Sequence, residues 1–142
     1  MHLPKIIQGS SYTDSRGTLF FNNIFDASAV KRMYIIQNSS IEAFRGWQGH
    51  KVEQRWFSVI NGSFEIYLIA IDNWEKPSKN LKLIKYHLNA ANMDILHVPS
   101  GFVSSIRSKE HDSKLLAMSN YGLGEINDEY KYEINFFKLV EK

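Results

Sequence analysis

The sequence has no cysteine among its 142 residues. Disulfide bonds and thiolate metal sites are therefore excluded, and the composition fits a reducing compartment such as the cytoplasm. Long apolar runs are also missing, since the longest, IYLIAI at 66–71, is far too short to span a bilayer. The N-terminal segment contains no extended apolar stretch, so no signal peptide is expected. We expect a cytoplasmic protein with no membrane partner.

An excess of one charge is equally absent, because 17 Lys and Arg residues nearly balance 15 Asp and Glu residues. A surface that binds nucleic acid needs a concentrated basic patch. The densest cationic run, KNLKLIK at 79–85, alternates with apolar residues and is typical of a strand with one solvated face. No nucleic-acid partner is predicted.

Strand-forming residues are abundant. Hydrophobic residues make up 44% of the chain and aromatic residues 13%, which is enough for a substantial core. Segments rich in β-branched and aromatic residues predict eight strands, at 18–25, 32–38, 54–60, 63–71, 81–88, 94–99, 114–121 and 133–140. Asn61-Gly62 is the strongest turn signal and predicts a tight hairpin between its flanking strands. Helix signals are weak, and residues 26–32 are the one candidate for a helical turn.

Many short strands at regular spacing predict an all-β sandwich or barrel, here as a single domain over residues 1–142. Several strands, such as YLIAI at 67–71, are apolar on both faces. This pattern indicates burial of both faces, either inside a sandwich or under a partner subunit. A homodimer is therefore expected.

The segment from residue 45 to residue 64 carries the most suggestive chemistry. If residues 48–57 form one strand, a period of two places on one face Gln48, His50, Val52, Gln54 and Trp56. That face resembles the wall of a wet cavity, whereas the opposite face would carry Lys51, Glu53 and Arg55 to solvent. His50 suits a catalytic base, because imidazole titrates near neutral pH, but it equally suits a hydrogen-bonded structural histidine.

Six motifs occur in an order that resembles one family. They are DSRG at 14–17, RMYIIQN at 32–38, RGWQGHK at 45–51, NGS at 61–63, HVPSGF at 97–102 and SNYGLGEINDEYKYEINFF at 119–137. Together they resemble the small RmlC-like cupins that act on nucleotide sugars, namely the dTDP-4-dehydrorhamnose 3,5-epimerases and the WxcM-like dTDP-4-keto-6-deoxyglucose 3,4-ketoisomerases. The resemblance covers nearly the whole chain. It implies a cupin double-stranded β-helix (jelly-roll barrel), usually dimeric, with the site inside the barrel.

The resemblance also implies an activity. Such a protein moves a proton on a 4-keto-6-deoxyhexose carried by a nucleoside diphosphate, through an enediolate, in surface polysaccharide or glycan biosynthesis. The chemistry needs a base, donors for the enediolate and groups for the pyrophosphate. The candidate catalytic residues are His50 as the base, with Gln48 and Tyr34 as donors. The candidate substrate-binding residues are Arg16, Arg45, Trp47 and Tyr121. Core packing remains an alternative for Tyr34 and Trp47, and surface ion pairing for the arginines.

Gln48 departs from the family pattern. The ketoisomerases have Arg-Gly-x-His-x-His-Lys, of which the second histidine is kept here as His50 and the first is Gln48. Glutamine cannot accept a proton at neutral pH. The alternative is therefore a non-catalytic cupin that binds a sugar or nucleotide sugar, and a third hypothesis is a purely structural or regulatory cupin.

A metal site is not expected. The ligand positions of metal-binding cupins correspond to Gln48, His50, Arg55 and Ser104, and of these residues His50 alone is a usual metal ligand. No metal and no other cofactor is predicted.

Overall fold

The computed structural model describes residues 2–138 and 140–141, and in these residues it contains strands and turns but no helix. The strands are β1 (Lys5–Ile7), β2 (Ser10–Asp14), β3 (Gly17–Phe21), β4 (Arg32–Ile36), β5 (Phe44–His50), β6 (Arg55–Asn61), β7 (Ser63–Ala70), β8 (Lys82–Asn89), β9 (Ile95–Val98), β10 (Phe102–Ser108), β11 (Lys114–Ser119), β12 (Glu129–Lys131) and β13 (Val140–Glu141). A helix able to cross a membrane is accordingly not found in the described part of the chain. The predicted all-β class is confirmed.

Two main sheets enclose the core. The first has the strand order β1-β9-β6-β11-β4, and the second has the order β12-β5-β10-β7-β8-β13. Inward side chains alternate with outward ones along each strand, as the two-residue period requires. On β7, for example, Phe64, Ile66 and Leu68 point into the shared core and are 0% exposed. The cavity described below opens at one end of this core.

A second apolar layer covers the outer face of the six-stranded sheet. Ile69 and Val103 point outward from β7 and β10, and Trp47, Trp74 and Phe137 pack against them. The apolar character of YLIAI on both faces is thus explained within one chain, because the segment around Phe137 folds back over the sheet.

The Asn61-Gly62 signal marks a turn, but the predicted hairpin is wrong. Gly62 has a φ of +76°, a conformation that favours glycine. The strands on either side of it belong to different sheets, since β6 pairs with β9 and β11 while β7 pairs with β8 and β10. The turn therefore carries the chain from one sheet to the other. A Cβ at Gly62 would clash with the side chain of Ser113, so the crossing is also too tight for a side chain.

Two other segments differ from the expectation. Residues 26–32 form a turn closed by the N–H of Val30 on the carbonyl of Ala27, without a helix. The strand predicted at 133–140 is replaced by turns over 134–137 and the short β13, and residue 139 lies outside the described residues. Phe136 and Phe137 suggested a strand because aromatic residues are common in buried strands. They lie instead in a turn, from which their side chains pack into the outer apolar layer.

The β2–β3 hairpin stands apart as a two-stranded sheet. Its turn includes Arg16, and Tyr12 lies opposite Leu19 in the register. Tyr12, Leu19 and Phe20 are 60%, 63% and 50% exposed. The hairpin therefore presents an exposed apolar surface.

Candidate active site

A cavity of about 310 Å³ lies between the two sheets. Strand β5 forms one wall through Arg45, Gln48 and His50, and β4 forms another through Arg32 and Tyr34. The volume lies at the lower end of the range typical of small-molecule sites.

A β-bulge explains why both Arg45 and Gln48 face this cavity. Residues three apart on a regular strand point to opposite faces. Gln48 pairs with Ser104 and Arg45 with Ile106, so three steps on β5 match only two on β10. The extra residue restores the inward direction of Arg45. Ser105 supports the bulge by donating from its hydroxyl to the Arg45 carbonyl at 2.7 Å.

The chain leaves β5 directly after His50, and this break shapes the site. One carboxylate holds the loop, since Asp128 accepts the backbone N–H groups of Lys51, Val52 and Glu53 at 3.1, 2.8 and 2.8 Å. Residues 48–57 therefore do not form the single strand on which the assignment of their two faces depended. Glu53 and Arg55, expected in solvent, are instead turned inward and are only 9% and 8% exposed.

His50, Glu53 and Arg55 form a buried cluster in the cavity wall. The guanidinium of Arg55 donates from Nη2 to His50 Nε2 at 2.8 Å. Glu53 Oε2 lies 3.1 Å from His50 Nδ1, although this approach is too bent for a good hydrogen bond. Glu53 Oε1 accepts the hydroxyl of Ser119 at 2.7 Å and lies 3.5 Å from Arg55 Nη2.

The surroundings of His50 favour its neutral form. Burial lowers the pKa of His50 below its ordinary value, and the positive charge of Arg55 lowers it further. The carboxylates of Glu53, Asp128 and Glu129 act in the opposite direction without reversing the shift. His50 is therefore neutral at neutral pH and has the charge state that a general base requires.

Gln48 is held by a carboxylate. Its Nε2 donates to Glu129 Oε2 at 2.7 Å, and β12 carries Glu129 to this place by pairing with β5. Burial raises the pKa of Glu129, but hydrogen bonds and charge from Lys131, together with the Gln48 amide, bring it below its ordinary value. Glu129 therefore accepts the amide N–H as a carboxylate, which fixes the orientation of the Gln48 side chain.

The cavity has a cationic lining. Arg32, Arg45 and Arg55 line it, and Glu53 is the carboxylate among its described lining residues. Tyr34 lies close to two of the guanidinium groups, with the Arg32 Cζ 4.7 Å and the Arg55 Cζ 6.0 Å from the centroid of its ring. Such a lining attracts an anionic group, for which guanidinium groups provide bidentate hydrogen bonds.

The structure gathers four of the seven predicted site residues in this cavity, namely His50, Gln48, Tyr34 and Arg45. It places three elsewhere. Arg16 is exposed on the β2–β3 turn and pairs with Asp14 at 2.8 Å. Trp47 is 1% exposed in the outer apolar layer, and Tyr121 lies in the loop after β11. The roles assigned to all seven residues remain predictions.

Sequence reasoning missed Arg32, Glu53, Arg55, Asp128 and Glu129. Alternating charges after His50 suggested a solvated strand face, and nothing in the segment KVEQ marks the break that turns Glu53 and Arg55 inward. The pair Asn127-Asp128 gave a weak indication of a turn, because the side chains of asparagine and aspartate often accept backbone N–H groups there. Its partners lie more than 70 residues away, at 51–53, and only the tertiary fold reveals them.

The same cluster also brings together atoms of metal-ligand type. Ligand atoms of His50, Glu53 and Asp128 lie within 4.8 Å of one another. Several of these atoms already accept hydrogen bonds, however: His50 Nε2 from Arg55, Glu53 Oε1 from the Ser119 hydroxyl, and both Asp128 oxygens from three backbone N–H groups. The guanidinium of Arg55 also places a positive charge where a cation would have to bind. The donor set therefore fits a guanidinium group and does not fit a metal ion.

A family model described as "FdtA: WxcM-like, C-terminal" matches residues 2–141 of the chain. A search of curated proteins with the sequence of the chain found no match. The family match bears out the resemblance that the ordered motifs predicted.

Solved structures show the same fold. The chain is similar to a mutant of the 3,4-ketoisomerase QdtA from Thermoanaerobacterium thermosaccharolyticum in complex with TDP-4-keto-6-deoxyglucose, with 20% identity, coverage of 93% of this chain and 89% of that one, and a TM-score of 0.70. It is also similar to the TDP-quinovose 3,4-ketoisomerase WlaRB from Campylobacter jejuni, with 20% identity, coverage of 96% of this chain and 98% of that one, and a TM-score of 0.70. For the RmlC epimerase from Mycobacterium tuberculosis the identity is 15%, the coverage is 90% of this chain and 68% of that one, and the TM-score is 0.69. At these identities the likeness shows a shared fold, and the predicted cupin jelly roll is confirmed.

Proposed function

The chain belongs to the WxcM-like, C-terminal family, and from this premise we propose that it is a nucleotide-sugar isomerase or epimerase. Its substrate would be a dTDP-4-keto-6-deoxyhexose, and the reaction would move a proton through an enediolate. The observation that carries the proposal is a neutral, buried His50 inside a cavity lined by three arginines.

The charge of the cavity supports a nucleotide-sugar ligand. Arg32 and Arg45 are the lining arginines outside the buried cluster, and Arg45 is oriented by a hydrogen bond from its Nε to Asn38 Oδ1 at 2.9 Å. A pyrophosphate group matches such guanidinium donors. The solved relative with TDP-4-keto-6-deoxyglucose shows that this fold accommodates a ligand of the class.

The proposed chemistry needs a base and donors. His50 would take the proton from a carbon next to the ketone. The hydroxyl of Tyr34 and the amide of Gln48 would stabilise the enediolate oxygen, since both residues line the same cavity. For a 3,4-ketoisomerisation one base can carry the proton between adjacent carbons, so a second histidine is not required by the proton balance.

A homodimer completes the proposal. Strand β4 is an edge strand, and its Met33 and Ile35 are 70% and 57% exposed. Together with the apolar hairpin residues Tyr12 and Leu19, they offer a surface for a second copy. Arg16, on the turn of the same hairpin, remains a proposed substrate contact. Size-exclusion chromatography with light scattering should give twice the monomer mass, and a monomer at micromolar concentration would contradict this part.

The expected setting is cytoplasmic biosynthesis of surface polysaccharide or glycan. Tyr121 remains a proposed substrate contact, which from its place outside the cavity would act only on a part of the ligand that extends beyond it. Trp47 is 1% exposed in the outer apolar layer and offers a ligand no surface, so core packing is the role that its position supports.

Binding without turnover is the second candidate function. Gln48 cannot take a proton, and the Nε2 lone pair of His50 is already engaged by Arg55. Both observations favour a cupin that retains the ligand site and has lost the reaction.

A proton NMR time course with dTDP-4-keto-6-deoxyglucose in deuterated water tests the proposal. Deuterium at C3 or C5, or the appearance of a new keto sugar, is the expected result. Broadened nucleotide resonances without exchange would support binding alone. Neither exchange nor broadening would contradict both candidate functions.

A further inference from the structure

Arg55 is the contact of His50 that sequence reasoning did not anticipate. It enters from β6, opposite the end of β5, and is 8% exposed. Its Nη2 lies 2.8 Å from His50 Nε2, and the two residues line the same cavity. A buried arginine directly on a candidate base changes what that base can do.

The hydrogen-bond chemistry of the pair allows one arrangement. A guanidinium group is always protonated and has no acceptor, so Arg55 must be the donor. His50 Nε2 must then carry a free lone pair. A neutral imidazole has one N–H, which therefore lies on Nδ1.

The other side of the ring is consistent with this tautomer. Nδ1 lies 3.1 Å from Glu53 Oε2, and the approach is too bent for a good hydrogen bond, but the negative charge of the carboxylate favours an N–H on this nitrogen. Glu53 is fixed in turn, because its Oε1 accepts the Ser119 hydroxyl and its backbone N–H donates to Asp128. The ring thus has a hydrogen-bond donor on Nε2 and a carboxylate close to, but not hydrogen-bonded with, Nδ1.

The charges around the ring come from four places. Arg55 on β6 opposes protonation of His50, as does burial, while Glu53 in the loop, Asp128 before β12 and Glu129 on β12 favour it. Burial and Arg55 prevail, so the pKa of His50 lies below its ordinary value. Arg55 is the single positive charge in direct contact with the ring in the described part of the chain.

We propose that Arg55 is a positioning residue that fixes His50 as the neutral Nδ1–H tautomer, with the ring lone pair on Nε2 and Glu53 as the carboxylate beside Nδ1. This inference rests on the proposed function for its catalytic meaning. Nε2 has one lone pair, so it takes a proton from the substrate only when the Arg55 N–H has moved off that lone pair. The imidazolium that forms lies beside Glu53, and Arg55 opposes it by charge. Arg55 therefore keeps the base unprotonated between turnovers, and Glu53 limits the cost of charging it.

Nitrogen-15 NMR of protein labelled at its histidines tests the inference without turnover. A His50→Gln variant assigns the His50 signals. The expected spectrum at neutral pH has the proton on Nδ1 and an unprotonated, hydrogen-bonded Nε2. A proton on Nε2 would overturn the proposal, because Arg55 cannot then donate to that atom.

The variant Arg55→Gln keeps a side-chain N–H and removes the charge. We expect the titration midpoint of His50 to shift upward, because the main opposing charge is lost while Glu53, Asp128 and Glu129 remain. The matched control is Arg45→Gln, which removes a cavity arginine without contact to His50 and should leave the midpoint nearly unchanged. Equal shifts in the two variants would contradict a positioning role for Arg55. If Arg55→Gln does not fold, the tautomer of the unmodified protein still decides.

Activity provides a separate result. In a protein that turns over a keto sugar, the acidic limb of the rate profile should move to higher pH in Arg55→Gln. Absence of any turnover in the unmodified protein counts against the proposed function only, since the tautomer and the titration of His50 are measured independently of it.

Discussion

Replacement of Gly49 by alanine should destabilise the protein and disturb the site. Gly49 lies between Gln48 and His50 on β5 and pairs with Val103 on β10. A Cβ at Gly49 would clash with the Phe102 carbonyl oxygen and would lie 2.5 Å from the Val103 Cα, and both are backbone atoms that cannot turn aside. The two strands must therefore separate by roughly 1 Å to restore ordinary contact, and such overpacking costs about 1–3 kcal/mol or more.

The matched control is Gly46→Ala on the same strand. Its Cβ would meet Ile134 Cδ1 at 3.8 Å, an ordinary contact. Loss of backbone freedom in the unfolded state stabilises an unstrained alanine by about 0.4–1 kcal/mol. Thermal unfolding should thus show a fall in Tm of about 3–9 °C for Gly49→Ala and no fall for Gly46→Ala. Equal Tm values in the two variants would refute the close pairing of β5 and β10 that places Gln48 and His50.

Three further predictions follow from the same structure. Gln48→His restores the family histidine beside the Glu129 carboxylate, which lies 2.7 Å from the Gln48 amide and can orient an imidazole. Proton exchange into a bound keto sugar should therefore accelerate. An unchanged rate would mean that the site does not lack a second histidine. Trp47→Ala empties a position that is 1% exposed in the outer layer and should lower the free energy of unfolding by about 3–5 kcal/mol in urea titrations, whereas a loss below about 1 kcal/mol would mean that Trp47 is not part of the core. Burial lowers the pKa of both His50 and His97 below the ordinary value of 6.5, and nearby positive charges lower it further. As the pH falls through 6.5, these histidines therefore take up protons in the unfolded chain before they do so in the folded one. Stability should therefore decline through mildly acidic pH, and His50→Gln should flatten that decline, which urea midpoints across pH would measure.

The strands were predictable to the extent that local pattern determines them. Segments such as 63–71 and 81–88 alternate or run apolar in ways that only a sheet accommodates, and β7 (Ser63–Ala70) and β8 (Lys82–Asn89) appear within a residue or so of these bounds. Sheet membership was not predictable. Asn61-Gly62 has the chemistry of a hairpin, yet the flanking strands join different sheets, because pairing partners are chosen by long-range packing.

The cavity was predictable in part. The inward direction of His50 and Gln48 follows from period two along β5, and Tyr34 lies on the strand that the motif RMYIIQN predicted. Arg45 reaches the cavity only through a bulge, which no residue in RGWQ announces. Arg55 and Glu53 were assigned to solvent because the loop after His50 is held by Asp128, a residue more than 70 positions away.

The central claim is that His50 transfers the proton of a bound keto sugar. The most direct measurement compares deuterium incorporation from deuterated water into dTDP-4-keto-6-deoxyglucose for the unmodified protein and for His50→Gln, with His97→Gln as a control whose ring hydrogen-bonds Gln54 outside the cavity lining. The account predicts exchange next to the ketone in the unmodified protein and in His97→Gln, and its loss in His50→Gln while nucleotide binding persists. Exchange at the same rate in His50→Gln would contradict the account.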